Sequence, residues 1–376
     1  MIYLDYSATT PVNDEVLDTF VEVNKKFIGN PNSIHKLGVE AKKLIDASSK
    51  QISDILKLSN KEIIYTSGAS EANNLAIKGI CFKYLDRGKH IITTKLEHSS
   101  IIETLKYLEK LGYKIDYVKL DSNGLVDLVD LEKLITDDTI LVSISSISSE
   151  LGIRQPIDEI KEIIKKYPKT YFHSDMTQSF GKEIIDTEDI DLISFSSQKF
   201  YGLKGIGGLI KDKKIVIEPL IHGGKSTTIY RSGTPSPALI ASTAKALRLA
   251  YDNLSEKQSK VKELNEYLVG ELSKLDIYIN SNEFPISNIV NISLKNIKSE
   301  TMLHALENDE IYVSTKTACS NGDISDSVLT VTNDLERSKT SIRISISHLT
   351  SKEDIDKFLE SFSNNLLKLS KLNKNM

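Results

Sequence analysis

The chain has 376 residues, of which 40% are hydrophobic, and its 48 basic and 52 acidic side chains leave a net charge of −4. A chain of this length can bury roughly three quarters of its unfolded surface, so we expect a globular protein with one large and one smaller domain. No apolar run approaches the ~20 residues of a membrane span and no basic stripe is interleaved with aromatic residues, which argues against membrane insertion and against nucleic acid as a main ligand.

Strand-like and helix-like segments alternate over the first two thirds of the chain. Seven apolar, β-branched runs have strand length, at 62–66, 90–94, 114–120, 140–145, 170–175, 191–196 and 207–210. Helix-like stretches separate most of them, at 70–85, 100–112 and 156–167. This alternation predicts an α/β fold with a mostly parallel sheet of seven strands.

The pattern changes after about residue 255. A long helix with a polar face is followed by the strand-like segments NIVNISL, IYVST and TSIRISI, with helices between and after them. We therefore predict a large domain at 12–254 and a smaller α+β domain formed by 1–11 and 255–376. The N-terminal MIYLDYSATT lacks the basic and apolar regions of a secretory signal, so a cytoplasmic location is expected.

Polar side chains follow several of the predicted strands, where ligands bind in open α/β sheets. Ser70 lies where the segment EIIYTSGA gives way to a helix, so its hydroxyl and the free N–H groups around it could bind phosphate. The residues that follow the later strands are His98, Asp175, Gln178, Ser196 and Lys199. We therefore expect a small-molecule site at this edge of the sheet.

These residue types fit a site for pyridoxal phosphate. The cofactor requires a lysine for a Schiff base, a carboxylate that keeps its pyridine nitrogen protonated and an anion pocket for its phosphate. Lys199, Asp175 and the pair Ser70 and Ser196 could supply these groups, and His98 could stack on the ring and move protons.

Each of these residues taken alone has a plainer interpretation. Lys199 could be a solvated residue at a strand end and Asp175 a turn residue. His98 could be a structural hydrogen-bonding partner, and Ser70 a helix cap. The cofactor hypothesis therefore depends on the combination.

Ten motifs, in order and spacing, resemble those of the NifS-like cysteine desulfurases. These enzymes are class V pyridoxal-phosphate enzymes with the aspartate aminotransferase (type I) fold. The resemblance covers residues 2 to about 360. The motifs are LDYSATTPV, GNPNSIH, TSGASEANNLAIKG, HIITTKLEH, LVSISSISSELGIRQPI, FHSDMTQSFGK, DLISFSSQKFYGLKGIGG, YRSGTPS, STKTACS and SIRISISHLT.

The resemblance implies roles for the residues around the cofactor. Lys199 matches the Schiff-base lysine, Asp175 the partner of the pyridine nitrogen, and His98 the stacking histidine. Gln178 matches the residue that hydrogen-bonds the phenolic oxygen of the cofactor. Arg343 in SIRIS matches the arginine that binds the substrate carboxylate through its planar pair of donors.

The resemblance also implies a phosphate pocket and a homodimer. Ala69, Ser70 and Ser196 match phosphate-pocket positions, and Thr234 matches one that reaches the neighbouring subunit's phosphate site. Several positions depart from the family pattern, and two of them concern cofactor binding. Ser149 replaces a common asparagine near the phenolic oxygen and is a shorter donor. Gln198 replaces a histidine that helps to hold phosphate, and its amide can donate but carries no charge.

The two cysteines, Cys81 and Cys319, lie far apart, so neither a disulfide framework nor a paired-cysteine zinc site is predicted. Cys81 lies in an amphipathic helical pattern and is interpreted as core packing. An Ala-Cys-Ser thiol such as Cys319 can also be a buried small residue. Its flank STKTACSNGDISDS is polar and typical of a solvated loop, and it matches the nucleophilic cysteine of the family.

The resemblance implies a cysteine desulfurase. L-cysteine would be converted to L-alanine, with its sulfur held as a Cys319 persulfide and passed to a sulfur-acceptor protein for iron–sulfur cluster assembly or for tRNA or cofactor thiolation. Two alternatives stay open at this stage. One is a lyase that releases sulfide from cysteine, or selenide from selenocysteine, and the other is a non-catalytic homologue that only binds partners.

Overall fold

A computed structural model describes residues 1–226, 228–281, 285–315 and 324–374, the side chains of the last three excepted. The strands are β1 (Ile2–Tyr3), β2 (Lys61–Thr66), β3 (His90–Thr93), β4 (Lys114–Tyr117), β5 (Thr139–Ser143), β6 (Tyr171–Asp175), β7 (Leu192–Ser196), β8 (Gly207–Asp212), β9 (Ile277–Ile279), β10 (Ile289–Leu294), β11 (Ile311–Tyr312) and β12 (Ser341–Ser345).

Twelve α-helices accompany these strands in the described ranges. They are α1 (Asp14–Lys26), α2 (Lys36–Ile55), α3 (Ala69–Lys83), α4 (Ser99–Glu109), α5 (Leu128–Leu134), α6 (Ile157–Ile164), α7 (Pro237–Tyr251), α8 (Leu254–Leu272), α9 (Ser299–Glu307), α10 (Asp326–Thr332), α11 (Leu335–Lys339) and α12 (Lys352–Lys374). Local signals account for several starts: Asn13 accepts a hydrogen bond from the Glu15 N–H at the start of α1, and Ser236 caps α7 ahead of Pro237.

The large sheet has seven strands in the order β2-β8-β7-β6-β5-β3-β4, which confirms the predicted α/β fold. β8 is antiparallel to both its neighbours, and the other adjacent pairs are parallel. All residues of β5, β6 and β7 except Tyr171 are buried, because helices cover both faces of the sheet. Consecutive strand residues accordingly pack into two different clusters of the large-sheet core. Leu192 and Leu209 pack with α3 and α4, and Ile193 and Ile210 belong to the other of these two clusters.

A second core lies outside the large sheet. It joins Ile2 and Leu4 at the N-terminus to residues of α8, α9 and α12 and to the antiparallel sheet β12-β10-β9. On this observation we propose the domain division at 12–254, with 1–11 and 255–376 forming the smaller unit. None of the helices in the described ranges is both long and apolar enough to cross a bilayer.

Candidate active site

One cavity of about 330 Å³ lies at the carboxyl ends of the parallel strands. Asp175 and Ser196 are the last residues of β6 and β7, and β12 of the second core contributes Arg343. The structure brings ten of the predicted site residues to its wall: Ala69, Ser70, His98, Ser149, Asp175, Gln178, Ser196, Gln198, Lys199 and Arg343. The side chains that could hold, protonate and orient a small molecule therefore share one enclosure.

Lys199 ends a short 3₁₀ helix, Ser197–Lys199, that follows β7 directly. Its Nζ donates hydrogen bonds to the backbone carbonyls of Ser7 and Ala8, each at 2.6 Å. These acceptors come from the N-terminal segment, which the sequence pattern did not assign to the site. The amine is held at the cavity wall by backbone atoms, an arrangement that keeps its position without neutralising it.

Asp175 is 7% exposed and accepts two hydrogen bonds. The Thr177 N–H donates to its Oδ1 at 2.9 Å, and Asn73 Nδ2 donates to its Oδ2 at 2.8 Å. Asn73, fully buried on α3, also donates to Ser100 Oγ at 3.0 Å and ties the carboxylate to the start of α4. Sequence reasoning missed Asn73, although a polar residue on the sheet-facing side of a helix was the available signal.

His98 caps α4 and lines the cavity. Its Nδ1 accepts from the Ser100 N–H at 3.2 Å and lies 2.9 Å from Ser100 Oγ. Burial lowers the pKa of His98 below 6.5; Asp175 opposes this effect, and Lys199 adds to it. A neutral His98 whose Nδ1 accepts a hydrogen bond carries its proton on Nε2, so the ring can stack as a neutral group and donate from that atom.

Arg343 is 1% exposed and holds two parts of the chain together. One guanidinium nitrogen donates to the Ser149 carbonyl at 3.0 Å, and another donates to Asp5 Oδ1 at 2.8 Å. Its Nε is buried and has no hydrogen-bond partner within the described part of the chain. A buried donor without a partner costs free energy, so this atom favours a ligand that supplies an acceptor.

The opposite wall of the cavity suits an anion. α3 begins there with no side chain capping its first turn, and Ala69 and Ser70 are its first residues. Gly68, at φ +156°, precedes them as the N-cap residue of α3. Free N–H groups at a helix N-terminus beside hydroxyls form a typical phosphate-binding arrangement.

Thr234, a further predicted residue, is not part of this enclosure. Thr234 lines a separate cavity of about 180 Å³ with Thr66 and Arg231, and Arg231 binds Glu71 at 2.9 Å near the start of α3. The predicted contact of Thr234 with a neighbouring subunit stays a prediction. Cys319 lies outside the described residues.

Glu97 lies directly before His98 and was not predicted as a site residue. It is 8% exposed and accepts hydrogen bonds from the Ser145 N–H at 3.0 Å and from Thr94 Oγ1 at 2.8 Å. Burial raises the pKa of the Glu97 carboxyl from 4.5 to about 7, against the opposing effect of these hydrogen bonds. The group therefore binds its proton more tightly in the folded chain than in the unfolded one.

This shift predicts that stability contributed by Glu97 is lost as the pH rises. Between pH 4.5 and about 7 the unfolded chain releases the proton and the folded chain keeps it, so the free energy of unfolding falls across that window. Glu97→Gln cannot ionise, so its free energy of unfolding relative to that of wild type should rise by about 2 kcal/mol between about pH 5 and about pH 7.5. Urea unfolding at both values measures this gain, with exposed Glu103→Gln as control; equal gains in the two variants would contradict the shift.

Nearly the whole chain is similar to known proteins. The Aminotransferase class-V family matches residues 2–358. A cysteine desulfurase IscS from Dictyoglomus turgidum is 39% identical over 368 residues, which cover 96% of this chain and 93% of that protein. A NifS/IcsS protein homolog from Lactobacillus delbrueckii is 39% identical and covers 99% of both chains. A solved NifS-like protein superposes with a TM-score of 0.92 at 35% identity, covering 97% of this chain and 99% of its own.

Proposed function

Because the chain belongs to the class V aminotransferase family, we propose that it is a pyridoxal-phosphate-dependent cysteine desulfurase that converts L-cysteine to L-alanine. The family and the cysteine desulfurases within it depend on this cofactor. The observation that carries the proposal for this chain is the shared cavity, where Lys199 and Asp175 lie on the large sheet and Arg343 reaches in from the second core. An amine, a carboxylate and a guanidinium in one enclosure are the groups that this reaction requires.

The residues present fit pyridoxal phosphate. When bound, the cofactor withdraws electrons from the α-carbon of an amino acid attached to it. The start of α3, with Ala69 and Ser70, and the side chains of Ser196 and Gln198 would hold its phosphate. The hydroxyls of Ser7 and Thr177 are buried in the cavity wall and have no hydrogen-bond partner among the described residues, which supports the binding of a polar group there.

Four side chains would orient the ring. Asp175 would hold a proton on its nitrogen, His98 would stack on its face, and Gln178 with Ser149 would lie near the phenolic oxygen. Asn73 keeps Asp175 in place through its 2.8 Å hydrogen bond. This hydrogen bond fixes the orientation of the carboxylate that would face the pyridine nitrogen.

Lys199 and Arg343 would act on the substrate. Lys199 would hold the cofactor through its amine and would take the proton from the substrate α-carbon. Arg343 binds the substrate carboxylate, for which its unpaired Nε supplies a donor. Its contact with Asp5 fixes the orientation of the guanidinium plane.

Cys319 would remove the sulfur. Its thiolate attacks the sulfur of L-cysteine, so that an S–S bond forms and the Cβ–S bond breaks. The electron pair of the broken bond stays with the carbon fragment. This fragment takes up one proton at Cβ and regains at Cα the proton that Lys199 removed, and so becomes L-alanine. The enzyme keeps the sulfur as a persulfide and passes it to an acceptor protein, for iron–sulfur clusters or for thiolation of tRNA or cofactors.

The setting of the reaction is proposed on the same basis. The chain would act in the cytoplasm as a homodimer, with Thr234 reaching the phosphate site of the neighbouring subunit. Incubation of the purified protein with pyridoxal phosphate and L-cysteine tests the function. Equal amounts of alanine and released sulfur would support it, and the absence of alanine from cofactor-loaded protein would contradict it.

Arg343→Lys should lower kcat/KM for L-cysteine about 100-fold, mainly through KM. Lysine keeps the charge that pairs with Asp5 but loses the planar pair of donors for a carboxylate. Steady-state kinetics with varied L-cysteine measures the effect. Arg248→Lys, at a surface pair with Asp252 on α7, is the matched control and should behave as wild type; a normal KM in Arg343→Lys would assign the carboxylate to another residue.

A further inference from the structure

Lys182 lies at the end of a tight turn behind the cavity wall. The turn follows β6 and spans 177–182, so Lys182 returns to a position beneath Gln178. Gly181 makes this return possible, because it has φ +69° and a Cβ there would lie 2.7 Å from Ala250 Cβ and 2.8 Å from Phe200 Cβ. A side chain at position 181 would therefore push the turn, and Lys182 with it, out of place.

One hydrogen bond joins Lys182 to the predicted cofactor site. Its Nζ donates to Gln178 Oε1 at 2.6 Å. A protonated lysine amine has only donors, so this contact identifies the amide atom that faces it as the oxygen. The other amide atom, Nε2, donates to the Ser7 carbonyl at 3.1 Å.

The same carbonyl links Gln178 to Lys199. Ser7 O accepts from Gln178 Nε2 and, at 2.6 Å, from Lys199 Nζ. Gln178 is 3% exposed, so little space is open for its amide to adopt other orientations. A continuous set of hydrogen bonds thus runs from Lys182 through Gln178 and Ser7 to the proposed anchor lysine.

The position of Lys182 is electrostatically unfavourable. Burial and, to a smaller extent, the charges of Lys199 and Arg343 together lower the pKa of Lys182 to about 7. A lysine in this place does not serve stability through its charge, since like charges surround it and Glu183 opposes the effect only in part. Its hydrogen bond to Gln178 is the contact that distinguishes it from a surface lysine.

We propose that Lys182 is a positioning residue that fixes the Gln178 amide with its NH₂ group toward the cavity. The inference rests on the proposed function, in which Gln178 serves the phenolic oxygen of pyridoxal phosphate. That oxygen carries negative charge, so it is stabilised by an amide N–H and repelled by an amide carbonyl. Without Lys182 only the Ser7 carbonyl still favours this amide orientation, so Gln178 turns its carbonyl toward the ligand in a larger share of the molecules.

The test compares Lys182→Met with Lys182→Arg in cofactor-loaded protein. Methionine keeps the length of the side chain but has no donor, whereas arginine keeps the donor. In Lys182→Met we expect affinity for pyridoxal phosphate to fall about tenfold and the apparent pKa of the visible cofactor band to rise by about half a unit, because the phenolic oxygen loses its donor. Lys182→Arg should stay close to wild type in both measurements.

Two controls separate this role from a general effect. The first control is Lys257→Met. Lys257 lines the same cavity as Lys182, and its Nζ donates to the backbone carbonyl of Leu249 at 2.6 Å. Its replacement removes a cation there and should leave the cofactor band unchanged. Lys182→Met in a Gln178→Ala background should cause no further change, since the amide it acts on is gone. Thermal unfolding of the cofactor-free variants checks the fold. If Lys182→Met does not fold, Lys182→Gln replaces it, because an amide can face Gln178 with either atom and fixes no orientation.

The outcomes separate the inference from the function it rests on. A normal wild-type band together with an unchanged band in Lys182→Met would overturn the role of Lys182 and leave the desulfurase proposal standing. An equal shift in the presence and absence of Gln178 would overturn it too. A wild-type protein that binds no pyridoxal phosphate would overturn both.

Discussion

Lys199→Ala should lose alanine formation from L-cysteine by about 10⁴-fold, because one change removes both the covalent anchor of the cofactor and the base for the Cα proton. The hydrogen bonds from Nζ to the Ser7 and Ala8 carbonyls are lost as well, so the cofactor-free protein should also change slightly in stability. The rate of alanine formation and the visible cofactor band are the measurements. Both should be absent or nearly absent in the variant.

Lys204→Ala is the matched control for this change. Lys204 lies five positions further along the same segment, and its side chain is exposed. It should keep the wild-type rate and the wild-type band. Turnover by Lys199→Ala within tenfold of wild type would show that another base acts, and the assignment of Lys199 would be wrong.

Cys319→Ala should lose the protein-bound persulfide completely and alanine formation by about 10³-fold. The variant should still exchange the Cα proton of L-cysteine for deuterium, because Lys199 performs that step without the thiol. Mass spectrometry of the protein measures the persulfide, and proton exchange is followed by NMR. This pair of results distinguishes loss of the nucleophile from loss of the cofactor site.

Cys81→Ala is the control for the loss of a thiol. Cys81 is fully buried on α3, and burial raises the pKa of its thiol, so it is not a nucleophile at neutral pH. Its removal should cost about 1 kcal/mol of stability and leave sulfur transfer intact. Release of alanine and free sulfide by Cys319→Ala at the wild-type rate would instead favour the lyase that needs no persulfide.

The large sheet could be predicted from the sequence because its strands are buried on both faces. Continuous apolar runs such as those of β5 and β7 have no other explanation at that length between helical segments. The ends of the seven strands differ from the predicted ones by at most three residues, and α4 ends at Glu109 rather than at 112. Ends are set by caps and turns, which a pattern of apolar residues does not contain.

The cavity residues that directly follow a strand could be predicted from the sequence. The residues that support them from behind the cavity wall could be predicted less well. Asp175 and Lys199 are at strand ends, whereas Asn73 and Lys182 support them from a helix and a turn. A polar residue in such a place has the same appearance in sequence as a solvated one. The contacts of Lys199 with Ser7 and Ala8 join positions about 190 residues apart, which no local pattern indicates.

The central claim is that this cavity binds pyridoxal phosphate through Lys199. The most direct measurement is borohydride reduction of the cofactor-loaded protein, followed by proteolysis and mass spectrometry of the lysine-containing peptides. We expect one modified peptide, which carries the cofactor on Lys199, and we expect Lys182 and Lys204 to be unmodified. Modification at another lysine, or no modified peptide in protein that shows no visible band, would contradict it.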